Sequence, residues 1–211
     1  MKSVLLSVQP KWCELIAFGK KTVEVRKTKP NINTPFKCYI YCTQGKTFND
    51  ILTFAEYENG EYMGDYYANG KVIGEFVCDR VQEYESEFVD DDCYESIASL
   101  DYDENGDVTG FIEWSNDSDA PYISTDFFKK CCVKYEELKK YIGLGFVTFY
   151  GWHISDLVIY DKPKDLSEFK TLCTKNIDCY LCNRYDHIRK DCNSTITRPP
   201  QSWCYVERKE D

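Results

Sequence analysis

No stretch of this chain approaches the ~18 consecutive apolar residues of a membrane-spanning helix. The apolar run near the N-terminus, Val4 to Val8, is too short for the core of a secretion signal, and no small-residue cleavage site follows it. The expectation is a soluble cytoplasmic protein, with no membrane partner. That setting removes a disulfide framework as the role of the 12 cysteines, which are then thiols or metal ligands. Basic residues are missing altogether from residues 85–119, which hold 13 Asp and Glu. A calcium loop is disfavoured there as well, because the closing Glu at the required spacing is absent. The stretch reads as a solvated acidic insertion.

With 211 residues, 43% of them hydrophobic, the chain is long enough for one sizeable core and too apolar to be disordered. A single domain over residues 1–211 is expected. The 17 Tyr, 12 Phe and 4 Trp suit a β-rich domain whose rings pack on pleated faces. The net charge of −10 argues at first against nucleic acid, but the average conceals a division. Outside residues 85–119 the balance is +3, and the first 46 residues carry nine Lys and Arg against Glu14 and Glu24. An anionic ligand is electrostatically reasonable at that end.

In chain order, residues 2–8 read as a strand, and Pro10 opens a helix whose apolar stripe, Trp12, Leu15 and Ile16, ends at Gly19. Residues 22–27 and 37–43 are predicted strands. Residues 49–70 show no sustained period and read as an irregular excursion. Residues 71–79 form a strongly apolar strand, expected to continue towards Tyr84. Two short helices follow, over 127–131 and 135–142. Strands over 146–150 and 151–160 are expected to meet at Gly151, with Pro163 stopping the run and a last strand before the C-terminus.

The densest chemistry lies in Gly19-Lys20-Lys21-Thr22-Val23-Glu24-Val25-Arg26. On a strand, Glu24 and Arg26 share one face while Val23 and Val25 share the other, and Lys21 stands at the strand's mouth. Two readings are open. The three charged groups are either a surface ion-pair cluster, individually weak, or the floor of a site for an anionic or planar ligand, helped by Gln9, Trp12 and Lys46. A lysine beside a second basic group can also act as a base, with Glu24 orienting it.

Gly19, Lys21, Glu24 and Arg26 match the G-x-K-x-x-E-x-R signature of the ASCH domain, a PUA-like β-barrel family named after activating signal cointegrator homology. Ser7-Val8-Gln9-Pro10-Lys11-Trp12, Ile40-Tyr41-Cys42-Thr43, Gly151 to Leu157 and Arg198 to Tyr205 look similar to a bacterial and phage branch of it. The resemblance implies an α+β fold: a PUA-like β-barrel with flanking short helices and a small Cys-rich C-terminal insertion, residues 171–197. It implies binding of RNA, a nucleotide or a modified nucleobase around the signature, with Gln9, Trp12, Lys21, Glu24, Arg26, Ser202 and Trp203 as lining. One branch hydrolyses N4-acetylcytidine with the signature lysine, a threonine at the signature's Glu position and a distant glutamate. Lys21 is kept here, whereas Glu24 stands where that threonine would be. Another branch is a metal-dependent ribonuclease. A hydrolase acting on a modified nucleoside or RNA, with Lys21 and Glu24 as catalytic candidates, is therefore the alternative to binding.

A second constellation is Cys173, Cys179, Cys182 and Cys192, with His187 as an alternative ligand to one of the cysteines. A C-x-x-C pair with two outlying thiolates can enclose a structural Zn²⁺, and so polar a segment needs a staple; a redox pair or plain thiols compete with that reading. His153 reads as a hydrogen-bonded core or cleft residue, and Cys13, Cys131 and Cys132 as core fillers. Trp203 either plugs the barrel or floors the cleft. A third functional reading makes the protein an interaction module whose acidic insertion, residues 85–119, mimics polyanion and captures a basic protein partner.

Overall fold

The computed structural model describes residues 3–45, 47, 50–88, 100–102, 108–113, 123–124, 127–171 and 195–208. They divide into two compact units, each discontinuous in sequence: Met1–Ala17 with Pro35–Cys78 and Ser155–Asp211, and Phe18–Thr34 with Asp79–Ile154. None of the described helices is long and apolar enough to cross a membrane.

The first unit is built on β1 (Ser3–Val8), every residue of which is buried. An interior strand covered on both faces reads as a continuous apolar run rather than an alternating one. β1 pairs in parallel with β3 (Phe36–Cys42) and antiparallel with β14 (Trp203–Arg208), within a six-stranded mixed sheet. β6 (Val72–Cys78) pairs with β3 and with β12 (Ser155–Lys164), and β13 (Phe169–Thr171) closes the far edge against β14. A 3₁₀ turn, Leu166–Glu168, precedes β13. One core cluster joins Leu5, Tyr39, Tyr41, Val72, Phe169, Ile196 and Val206. Helix α1 (Pro10–Ala17) follows β1 and buries Pro10, Cys13 and Ile16. That is the i, i+3, i+6 stripe; Trp12 and Leu15, expected on the buried stripe, are half-exposed beside it.

The described residues of the 49–70 stretch are not irregular. They hold β4 (Thr53–Glu58) and β5 (Glu61–Tyr67), an antiparallel hairpin turning at Asn59-Gly60. Both turn residues have positive φ, 53° and 86°, as a two-residue turn compatible with strand twist requires. The Asn-Gly pair is the signal that the absence of a sustained period obscured.

The second unit carries a three-stranded sheet of β2 (Val23–Arg26), β11 (Gly145–His153) and β7 (Val81–Phe88), in the order β2-β11-β7. The predicted continuation of residues 71–79 into this region is corrected: the chain breaks at Asp79-Arg80 and enters a different sheet. The predicted division at Gly151 is also corrected. β11 runs straight through it, because Gly151 marks close packing rather than a strand end. A Cβ there would lie 3.0 Å from Val23 Cγ1 and 3.1 Å from Tyr84 Cε2. The true break falls at Ile154, and β12 then runs past Pro163 to Lys164.

Helices α2 (Phe127–Cys131) and α3 (Tyr135–Ile142) pack on this sheet, their Phe127, Phe128, Cys131, Leu138 and Ile142 clustering with Val23, Val25 and Phe149. Tyr84 stacks on Phe149 and meets Phe127 edge-on at centroid distances of 5.2 and 4.8 Å. α3 has Glu136 and Glu137 in its first turn and Lys139 and Lys140 in its last, each charge opposing the helix dipole. Of the acidic stretch, residues 85–88 lie in β7, 100–102 in β8 (Leu100–Tyr102) and 108–113 in β9 (Val108–Glu113); the remainder lies outside the described residues. β9 pairs with β8 and with β10 (Ile123–Ser124).

Candidate functional site

Gly19 adopts φ +68°, in the left-handed region where a side chain is strained, and it redirects the chain after α1 towards β2. The chain then meets the C-terminal end of α2, where helical carbonyls have no partner within the helix. Thr22 N donates to Lys130 O at 2.9 Å, and Lys21 Nζ donates to Cys131 O at 2.5 Å. Cys132, at φ +54°, sends its thiol to Lys20 O at 3.3 Å. An ammonium group at this end of α2 also meets the negative end of its dipole.

From that anchor the charges form a continuous chain. Lys21 Nζ lies 3.3 Å from Glu24 Oε2, and Arg26 Nη2 lies 2.9 Å from Glu24 Oε1. One carboxylate thus serves two cations. The three residues are 2%, 6% and 5% exposed, so the surface ion-pair reading does not describe them. β2 is an edge strand, and its register against β11 sets Trp152 opposite Glu24 and Tyr150 opposite Arg26. Opposed residues share a sheet face, which places both aromatic residues on the charged side of β2.

Around the triad lies a basic surface that no single segment of the sequence reveals. Residues 18–34 and 127–144, joined through the packing of α2 and α3 on β2, contain ten Lys and Arg against three acidic residues. Lys20, Lys27, Lys29, Lys129, Lys130, Lys134 and Lys140 are exposed. Tyr141 lies among them. Lys27 Nζ sits 5.3 Å from its ring centroid. Desolvation raises the Tyr141 pKa, Arg26 opposing the shift. Lys29 Nζ lies 4.9 Å from the ring centroid of Tyr150 and 2.5 Å from Glu83 Oε2. Tyr141 was not anticipated; its position i+3 from buried Leu138 on α3 sets it at the margin of the apolar stripe.

Cys131 Sγ is fully buried, and desolvation pushes its thiol pKa up to about 11, with Lys21 opposing. It fills core as expected, whereas Cys132 is half-buried. His153 Nδ1 lies 2.6 Å from Asp79 Oδ1 at the end of β11, a hydrogen-bonded pair with both members partly exposed.

The other candidates belong to the first unit. Gln9 is exposed at the start of α1, and its carbonyl accepts from Trp12 N and Cys13 N, both at 2.9 Å. Trp12 is half-buried beneath Lys11 Nζ, 4.2 Å from its centroid. Ser202 O accepts from Ser7 N at 2.9 Å, and Trp203 pairs with Leu6 and meets Tyr205 edge-on at 5.4 Å. Pairing of β1 with β14 thus collects Gln9, Ser202 and Trp203 at one end of β1. Cys173, Cys179, Cys182, Cys192 and His187 lie outside the described residues, as does Lys46. Among the described residues, no three His, Cys, Asp or Glu side chains gather as metal ligands do.

No family model matches the sequence, and no curated protein does. A solved structure does resemble it: a point variant of the ASCH protein from Zymomonas mobilis, 15% identical, covering 98% of this chain and 91% of its own, with a TM-score of 0.50. The fold is that of an ASCH protein. The α+β class is the one that the resemblance through G-x-K-x-x-E-x-R implied. The unmodified Zymomonas mobilis protein gives 16% identity over 97% of this chain and 87% of its own, at a TM-score of 0.48. A second point variant gives 13% over 97% and 88%, at 0.45. Within this ASCH fold, the described signature residues form the linked ion pairs and helix cap set out above.

Proposed function

We propose that the protein binds RNA, a nucleotide or a modified nucleobase through the basic surface that surrounds Lys21, Glu24 and Arg26. The observation that carries this reading is the joining of residues 18–34 to α2 and α3, which concentrates exposed lysines in a chain whose net charge is −10. Phosphate binding leaves this kind of footprint, and Tyr141 among the cations provides a ring on which a base can stack. Arg26, desolvated and planar, suits bidentate recognition of a phosphate or base edge, and Glu24 holds it in orientation.

Binding without turnover is the reading favoured here. Lys21 Nζ donates to Cys131 O and faces Glu24, two groups that only accept, so its protons are engaged in holding the site together. The hydrolase alternative is tested directly by incubating the protein with N4-acetylcytidine, which a pure binder leaves intact.

The binding reading is tested by fluorescence anisotropy with a labelled single-stranded RNA of about a dozen nucleotides over a range of salt. Lys129→Ala/Lys130→Ala and Arg26→Ala are expected to weaken binding, and removing each cation that neutralises a phosphate should flatten the salt slope by about 0.7. Unchanged affinity in both would sink the proposal. Lys21→Ala should weaken binding too, but it also uncaps α2, so the surface pair is the cleaner probe.

For the segment with Cys173, Cys179, Cys182, Cys192 and His187, we propose a structural Zn²⁺ on the C-x-x-C spacing. Elemental analysis of protein purified without chelator should find about one zinc per chain. Near-zero metal would exclude it.

A further inference from the structure

The β4–β5 hairpin presents two unlike faces. Its inner face is fastened to β12: Tyr66 Oη donates to Tyr160 O at 3.0 Å, Lys162 Nζ lies 3.1 Å from Glu56 Oε1, and Phe54 packs on Tyr66 at 5.9 Å. On the outer face the register sets Thr53 opposite Tyr67, Ala55 opposite Asp65 and Tyr57 opposite Tyr62. A bulge at Met63-Gly64 brings Tyr62 onto this face. Tyr57, Tyr62 and Tyr67 are 64%, 59% and 67% exposed. Three rings on one short hairpin are more than the scattered apolar exposure of an ordinary surface.

The face is also organised and carries a carboxylate. Tyr57 and Tyr62 meet edge-on at 5.9 Å, and Tyr62 Oη donates to Asp65 Oδ1 at 3.0 Å, which holds the carboxylate between the tyrosine pair and Tyr67. Ala55 opposite leaves the middle of the face shallow. The carboxylate on this face is that of Asp65, with Asp50 beside Tyr67, whereas Glu56 and Glu58 stand on the opposite face of β4 and act on Lys162. Carboxylates among the rings disfavour a phosphate backbone at this spot, and Asp65 would meet its own like charge in a second copy of the same face.

We infer that the outer face of this hairpin docks an arginine-rich segment of a partner protein, with guanidinium groups lying on the tyrosine rings and pairing with Asp65. A planar cation satisfies both features at once, since it stacks on a ring face while its N–H fork meets a carboxylate. Tyrosine is also the side chain that supplies contact area with little conformational entropy to lose. The inference is independent of the RNA-binding proposal, which concerns the second unit.

The test uses the full chain and a fluorescein-labelled peptide of alternating Arg and Gly, with a Lys-Gly peptide of equal charge as comparison. The expected result is preference for the arginine peptide, weakened about tenfold or more by Tyr57→Ala/Tyr62→Ala/Tyr67→Ala, a variant that keeps every charge. Asp65→Asn, which leaves the rings in place, should weaken it as well. These side chains are exposed, so the thermal midpoint should be unchanged. Equal binding of the two peptides, or wild-type affinity in both variants, would show only general attraction to an acidic chain and overturn the inference. A loss of RNA binding in the tyrosine variant, or a concentration-dependent dimer that it abolishes, would overturn it in favour of a different occupant.

Discussion

Two sets of ion pairs use the same side chains to different effect. In the first unit, Lys37 and Glu75 approach to 2.5 Å, as do Lys71 and Asp165, with side chains 40% and 19% and 39% and 64% exposed. In the second unit the Glu24 contacts are longer, 2.9 and 3.3 Å, but their side chains are 1% to 8% exposed. Distance does not rank them. Water screens the exposed pairs whether or not they are formed, whereas a desolvated charge must find its partner inside the protein. The buried set therefore has the larger consequences for folding, and it is also the set that bears the signature.

The largest effect should follow from removing the shared carboxylate. Glu24→Gln leaves Lys21 and Arg26 desolvated without their common counter-charge, and is expected to lower stability by about 3–5 kcal/mol in urea unfolding. A loss below about 1 kcal/mol would place the triad with the exposed pairs. The next sharpens the contrast through pH. The Cys131 thiol is held up to about 11 from an ordinary 9.0, so between these values the unfolded chain ionises while the folded one keeps its proton. Stability is then fully present below pH 9 and lost as pH rises towards 11, by roughly 2–3 kcal/mol. Unfolding midpoints at pH 8 and pH 10.5 should fall further apart in the wild type than in Cys131→Ala. Equal differences would show that burial at α2 is not what raises the thiol. The smallest effect belongs to Lys37→Ala, where about 0–1 kcal/mol is expected. A loss as large as that of Glu24→Gln would remove the distinction between the two sets.

Much of the architecture was legible because it rests on local chemistry. Continuous apolar runs marked β1 and β6, the short helices over 127–131 and 135–142 stand where they were read, and alternation in Val23-Glu24-Val25-Arg26 divided core from charge. What was missed depended on partners distant in sequence. Residues 71–84 carry no sign that Cys78 and Val81 belong to different sheets. Gly151 resembled a breaker because Val23 and the ring of Tyr84, which leave little room for a side chain there, lie far away in the chain. The hairpin at 53–67 escaped because aromatic and acidic side chains occur on both of its faces, so its alternation was not one of apolar against polar.

For the candidate site the division is similar. The G-x-K-x-x-E-x-R spacing located Lys21, Glu24 and Arg26 and placed Glu24 and Arg26 on one strand face. Strand geometry alone determines that much, since side chains two residues apart must share a face. Whether those charges were exposed or buried, the acceptor that Lys21 finds at Cys131, and the addition of α2 and α3 lysines to the basic N-terminal segment were decided only in three dimensions. The reason is physical: burial and electrostatic field depend on every group within a few ångströms, and here those groups come from more than 100 residues away in the chain.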